Sequence, residues 1–283
     1  MPRRHRFGVP ALIVMSVYLV AVAVAAVVAW VTGDLGALWW LTVFTEADAG
    51  AAVTWPNMIV LVLAGALWAW ALWQCLRGPV AGPSPTLDRD ERRLRVVLYA
   101  TAATWLLYFA VPSWPWWVIV LDSLLMVAVV LLFRPVLTRG VKGADRTGAV
   151  GVLAYGGVAV SEVLALLGRD TPGQLNLICA LATLVWTVLV LRAQRMDGRW
   201  RMATVQYGIA SLLLPVLWPL AGLLVGGEAV RDALTVVDAL GMVWLIRSAH
   251  DLADPRPSAD SSPVPAETVS GTVSGMGGSS PAT

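Results

Sequence analysis

From Pro10 to Val31 the chain runs through 22 residues without one charged side chain. About 20 apolar residues in a helix cross the ~30 Å hydrocarbon core of a bilayer. Seven further apolar runs follow, at Asn57–Leu76, Val96–Val111, Trp116–Phe133, Gly148–Leu167, Leu175–Leu191, Ala203–Val225 and Ala233–Ile246. Hydrophobic residues make up 58% of the 283 and charged residues 13%, about half the charged share of a soluble domain. The expected fold is therefore all-α, a polytopic bundle of about eight transmembrane helices in the cell membrane. The third and eighth runs are short at these limits and are expected to extend by a turn into their flanks.

Arginine and lysine are retained on the cytoplasmic side of short loops. With the N-terminus inside and eight crossings, the outer loops hold only Arg169 and Arg231 of the 20 basic residues. The inner segments take the rest, so both termini are expected in the cytoplasm. Trp30, Trp39, Trp40, Trp55, Trp114, Trp116 and Trp117 all fall at expected outer ends, where an interfacial aromatic belt sits. Trp68, Trp70, Trp73 and Trp244 approach the inner interface, with the same default reading.

A cleaved signal peptide is the competing reading of the first run. Its length exceeds the ~7–15 residues of a signal h-region, which favours an uncleaved anchor. Residues 1–253 are read as the helix bundle. Residues 254–283 are rich in Pro, Ser, Gly and Thr with no aromatic side chain, and are read as a disordered cytoplasmic tail. The run from Leu87 to Arg93 is either a short amphipathic helix on anionic headgroups or a solvated loop.

Several chemistries have no residues to carry them. No Gly-rich phosphate loop leads into a Lys-Ser or Lys-Thr pair, and no Cys/His spacing suits a metal, so no cofactor or metal is expected. Cys75 and Cys179 are isolated near opposite membrane faces, which argues against a disulfide. His5 and His250 both fall in cytoplasmic flanks, so no Ser-His-Asp arrangement can be assembled in the membrane. Asp251, beyond the last run, is expected to be a position where substitution changes nothing.

What remains is a set of acids inside the apolar runs: Asp122, Glu162 and Asp238. A charge there costs roughly 2.5–3.5 kcal/mol or more, and such residues usually face the bundle interior. None has a basic partner in the membrane, which favours the protonated, neutral form. Each lies six residues from an expected outer boundary, about 9 Å deep at ~1.5 Å per residue. The three acids are thus expected to share one layer and to face one cavity. Ser123, Ser161 and Thr235 add polarity beside them, and Tyr155 is expected on the helix face of Glu162. Gly156 and Gly157 are expected to pack closely on a neighbouring helix. The bland reading is that each acid satisfies a packing hydrogen bond or reaches headgroup water.

Trp105, Trp186 and Trp218 lie well within their runs, as packed or lipid-facing bulk or as cavity wall. Aromatic faces stabilise cations, more so when desolvated. A neutral carboxyl beside such walls can protonate an alkene or epoxide and guide the resulting carbocation, with water excluded.

The second half of the chain resembles the integral-membrane terpene cyclases of fungal meroterpenoid and bacterial indole-terpenoid pathways. Val237-Asp238-Ala239-Leu240-Gly241-Met242-Val243-Trp244-Leu245-Ile246-Arg247 is similar to their final helix, where an Asp precedes a Gly, an aromatic and a closing basic residue. Thr104-Trp105-Leu106-Leu107-Tyr108, then Pro112, resembles their early helix, except that Leu106 stands where the family has an acid. The resemblance covers roughly Asn57–Ile246. It implies a catalytic role for Asp238 alone, as the leading acid; that Asp122 or Glu162 supplies the missing acid is read from their place in the same layer and not from the family pattern. The expected substrate is a linear isoprenoid or prenylated molecule, lined by Trp105, Tyr108, Tyr155, Trp186 and Trp218. The expected partners are the lipid bilayer and that apolar substrate, with no nucleic acid. A proton- or cation-coupled transporter is an alternative, given Pro215 and Pro219 in the seventh run, although no internal repeat is evident. A non-catalytic membrane partner protein is the other.

Overall fold

The computed structural model describes residues 5–47, 51–81, 86–110, 115–137, 144–225 and 235–254, with the side chains of 108–110, 144–145, 216, 218–225, 235 and 237 outside that description. The elements are α1 (Gly8–Thr32), α2 (Gly36–Val43), α3 (Trp55–Leu76), α4 (Arg89–Ala110) and α5 (Trp116–Leu137). Then come α6 (Ala144–Gly151), a π turn (Val152–Gly156), α7 (Gly157–Leu166), α8 (Gly173–Asp197), α9 (Met202–Val225) and α10 (Thr235–Ala253). Among the described residues there is no strand, only an isolated bridge between His5 and Val80. The regular structure of the described residues is thus all-helical, as expected. Among the described residues five stretches are long and apolar enough to cross a membrane: α1, α3, α5, α8 and the continuous Arg146–Leu166.

Within the described residues each expected apolar run is helical; the fifth is divided by the π turn into α6 and α7, and the other deviations are at the ends. α4 begins at Arg89 rather than Val96. Asp88 caps it, its Oδ1 accepting from the Asp90 amide at 2.7 Å, while Glu91 Oε2 reaches back to the Asp88 amide at 3.4 Å. This reciprocal cap makes the Leu87–Arg93 run the entrance of a long helix, neither a separate surface helix nor a loop. α2 was not expected, because eight residues give too short a pattern to read. It tucks Leu38 and Trp39 against Ala29 of α1 and Leu61 of α3, and Gly65 gives α3 room against Val22 and Thr42. Trp39 is therefore wholly buried, and Trp68 is buried in the neighbouring cluster with Ala102 of α4 and Ala239 and Met242 of α10; neither is a member of an interfacial belt. Trp30 and Trp55 do stack at one end of α1 and α3, centroids 4.7 Å apart, and both are exposed.

α10 is the centre of the bundle. It packs on α3, α4 and α9, with Ala239, Met242, Val243, Leu245 and Ala249 fully enclosed. Its apolar face is thus satisfied all round, which explains why it tolerates Arg247, Ser248, His250 and Asp251 among its buried residues. A helix shielded from lipid by its neighbours has no need of continuous hydropathy, so its apolar run is short while the helix continues to Ala253. By contrast α1, α5 and α8 expose Val17, Val20, Val24, Leu121, Leu124, Leu177 and Leu181. Apolar surface on that scale has no place in water and suits contact with acyl chains.

The helix ends segregate. His5 is bridged to Val80 just after α3. Arg199, between α8 and α9, pairs with Glu91 at the start of α4 and donates to the Val136 carbonyl at the end of α5. Arg201 pairs with Asp254 beyond α10. One end of the bundle therefore gathers the beginnings of α1, α4 and α9 with the ends of α3, α5, α8 and α10.

Candidate functional site

Asp122 and Glu162 come together near the opposite end. α5 brings in Asp122 and Ser123 on its second turn, and α7 brings in Glu162 before its last. Ser123, buried, donates its hydroxyl to Glu162 Oε2 in a short hydrogen bond. The Trp105 indole of α4 donates to Asp122 Oδ1 at 2.9 Å. The two carboxyls lie close enough to interact electrostatically. Both are half-buried. No described hydrogen bond occupies Asp122 Oδ2 or Glu162 Oε1, and neither oxygen is sealed from the surface. Each acid therefore has one oxygen held by a donor and a second available to carry a proton outward. The Ser161 hydroxyl beside them is buried without a described partner.

Trp105 links this pair to the central helix, because its ring lies against Gly241 of α10. Asp238, one turn earlier on α10, is exposed, and among the described residues no hydrogen bond or ion pair joins it to the other two acids. Tyr155 sits within the π turn rather than on a regular helix. The wider turn shifts its register, so Tyr155 faces Trp186 and Thr187 of α8 while Glu162 faces α5. The shared helix face expected from a spacing of seven residues is thus split, although Tyr155 remains within electrostatic reach of Asp122. Gly157 touches Cys179, so a Cβ there would collide with its sulfur, whereas Gly156 meets no neighbouring helix within 4 Å. Close packing holds for Gly157 only. Cys75 and Cys179 are both free and buried. The side chains of Tyr108, Thr235 and Trp218 lie outside the described residues.

Trp186 is wholly buried and belongs to the packed core. Its ring makes edge-on contacts with Tyr155, Phe133 and Trp244 at 5.3, 6.2 and 6.4 Å. This aromatic column continues through Trp200, which lies under the Arg199 guanidinium at 5.0 Å. It separates the acid pair from the ionic end of the bundle. Among the described residues no three of His, Cys, Asp and Glu gather in a way that would hold a metal.

The ionic end was missed by the sequence reading. Asp251, far from being inert, is buried, its Oδ2 accepting from Thr204 Oγ1 at 2.5 Å and the Arg201 amide at 2.9 Å. Its Oδ1 lies 3.7 Å from Arg247. Asp254, assigned to the tail, accepts from the Val80 amide at 2.7 Å and pairs with Arg201 at 2.5 Å. Gln194 bridges Trp244 and Ser248, both at 3.0 Å. The available signal was the i,i+4 spacing of Arg247 and Asp251, which reads as helix continuing past Ile246.

His250 is enclosed there, its ring 5.6 Å from Tyr99. Burial, reinforced by the Arg247 and Arg77 guanidinium groups, pushes its imidazole down to about 3. Unfolded histidine titrates near 6.5, so between these values the unfolded chain binds a proton that the folded chain refuses. Stability is then full above the unfolded value and falls as pH drops from about 6.5 toward 3. Melting in detergent across that window should show this loss, and His250→Gln should flatten it. An unchanged slope would place the titrating group elsewhere.

The chain matches no protein-family model, no curated protein and no solved structure.

Proposed function

We propose that this chain is a multi-pass membrane protein of eight crossings, with both termini cytoplasmic, that cyclises a linear isoprenoid by protonation. The topology rests on the segregation of helix ends described above, which matches the alternation expected from arginine placement. Reporter fusions after Leu87, Arg199 and Ala253 should read cytoplasmic, and fusions after Ala47 and Thr171 external. Two consecutive loops on one side would remove a crossing.

The observation that carries the reaction is the Asp122–Glu162 pair, two acids in apolar surroundings with no described basic partner. In the proposed step the free carboxyl oxygen gives its proton to a terminal alkene carbon. The O–H bond breaks, a C–H bond forms, and the cation closes a ring by C–C bond formation. Loss of a proton back to the carboxylate ends the sequence, so the product is an isomer of the substrate and no co-reactant is consumed. Trp105, held against Asp122, supplies an aromatic face near the developing cation. Asp238, to which the family resemblance points, is a second candidate donor. Membranes containing the protein would be given linear prenylated substrates, and products of unchanged mass separated by chromatography. Cyclic isomers formed only when the protein is present support the reading. No conversion, with proton-coupled solute flux instead, would favour the transporter, for which the π turn beside Tyr155 is the supporting observation.

A further inference from the structure

The inner faces of α8 and α9 enclose a groove of about 330 Å³ on the outside of the bundle. Val188, Ile209, Leu212 and Leu213 line it, and Arg192 and Arg195 stand at its mouth. Val188, Ile209 and Leu213 are exposed, so the groove faces whatever surrounds the helices. From Val205 to Leu213 it rises roughly 12 Å at ~1.5 Å per residue, most of one leaflet of a ~30 Å hydrocarbon core.

Its two arginines differ from those nearby. Arg199, Arg201 and Arg247 are ion-paired within the protein. Arg192 and Arg195 are exposed, three residues apart on one helix face, and among the described residues no carboxylate or hydrogen-bond acceptor meets either of them. Two uncompensated cations over an apolar groove of leaflet depth are complementary to one amphiphile. We propose that this groove is a site for an anionic phospholipid, one acyl chain lying along Ile209 and Leu213 and the phosphate held by Arg192 and Arg195. The proposal rests on the membrane reading of the fold and is independent of the cyclisation.

The test is native mass spectrometry of the full chain, released from detergent micelles doped with phosphatidylglycerol or phosphatidylcholine. The parent should retain phosphatidylglycerol in preference to phosphatidylcholine. Arg192→Gln with Arg195→Gln should lower that retention by roughly tenfold or more, since each basic residue near a surface is worth about 1 kcal/mol toward anionic lipid. Ile209→Trp, which fills the groove and leaves both charges, should lower it as well. Arg93→Gln, at an exposed arginine on the same end of the bundle, should leave it unchanged. Equal retention of the two lipids would overturn the proposal. So would equal losses in Arg93→Gln and the double variant, which would indicate diffuse charge attraction, or full retention in Ile209→Trp. Failure of the protein to float with vesicles would instead reject the membrane reading on which it rests.

Discussion

Asp251→Asn is expected to destabilise the protein by about 2–4 kcal/mol, the largest stability effect of any single polar substitution considered. The carboxylate receives the Arg201 amide and the Thr204 hydroxyl and faces Arg247, which is almost wholly enclosed. Removing its charge leaves a buried guanidinium with less compensation, and that penalty exceeds the value of the pair itself. The partial exposure of Arg201 sets the range below that for a fully buried triad. Asp170→Asn, on an exposed turn, should change stability by less than about 0.5 kcal/mol. Thermal unfolding in detergent would check both, and equal stability of the two variants would mean that the Asp251 network contributes nothing net.

Why the sequence foretold the opposite for Asp251 follows from what hydropathy can register. It reports the solvent that a helix surface would meet, so α1, α3, α5 and α8, which face outward, were legible almost to their ends. From Met242 to Ala253 α10 meets only protein. Arg247, Ser248 and Asp251 look like a soluble flank when counted singly, and become ordinary interior residues once α9 and the α8–α9 turn supply partners. The acids were legible for a related reason, since Asp122 and Glu162 interrupt otherwise apolar runs. That Asp122 and Glu162 share a layer was legible from their common depth, but the donors that hold them, Trp105 and Ser123, were not, because those depend on how α4, α5 and α7 face each other. Trp39 and Trp68 misled because position near a membrane face is shared by belt residues and by residues that a neighbouring helix covers, α1 and α3 for Trp39 and α10 for Trp68.

The largest effect on activity is expected from Asp122→Asn, which should lower cyclic product at least a hundredfold, within the ~10²–10⁴ typical of a general acid. Asn keeps the acceptor for the Trp105 indole and removes the transferable proton. Glu162→Gln should reduce product as well, since its carboxyl completes the pair, whereas Ser123→Ala should retain more activity than either. Yield of folded protein by size-exclusion chromatography separates loss of chemistry from loss of fold. If Asp122→Asn and Glu162→Gln keep full yield of product while Asp238→Asn abolishes it, the proton comes from α10 and the pair is structural.

The most direct measurement is made in deuterium oxide. An alkene-terminated linear isoprenoid, free of any oxirane, would be turned over by protein-containing membranes, and the cyclic product analysed by mass spectrometry. Carboxyl protons exchange with solvent, so acid-initiated cyclisation should leave one deuterium bound to carbon at the initiating position, and Asp122→Asn should form almost none of that product. Cyclic product without carbon-bound deuterium, or labelled product formed equally by Asp122→Asn, would contradict the account.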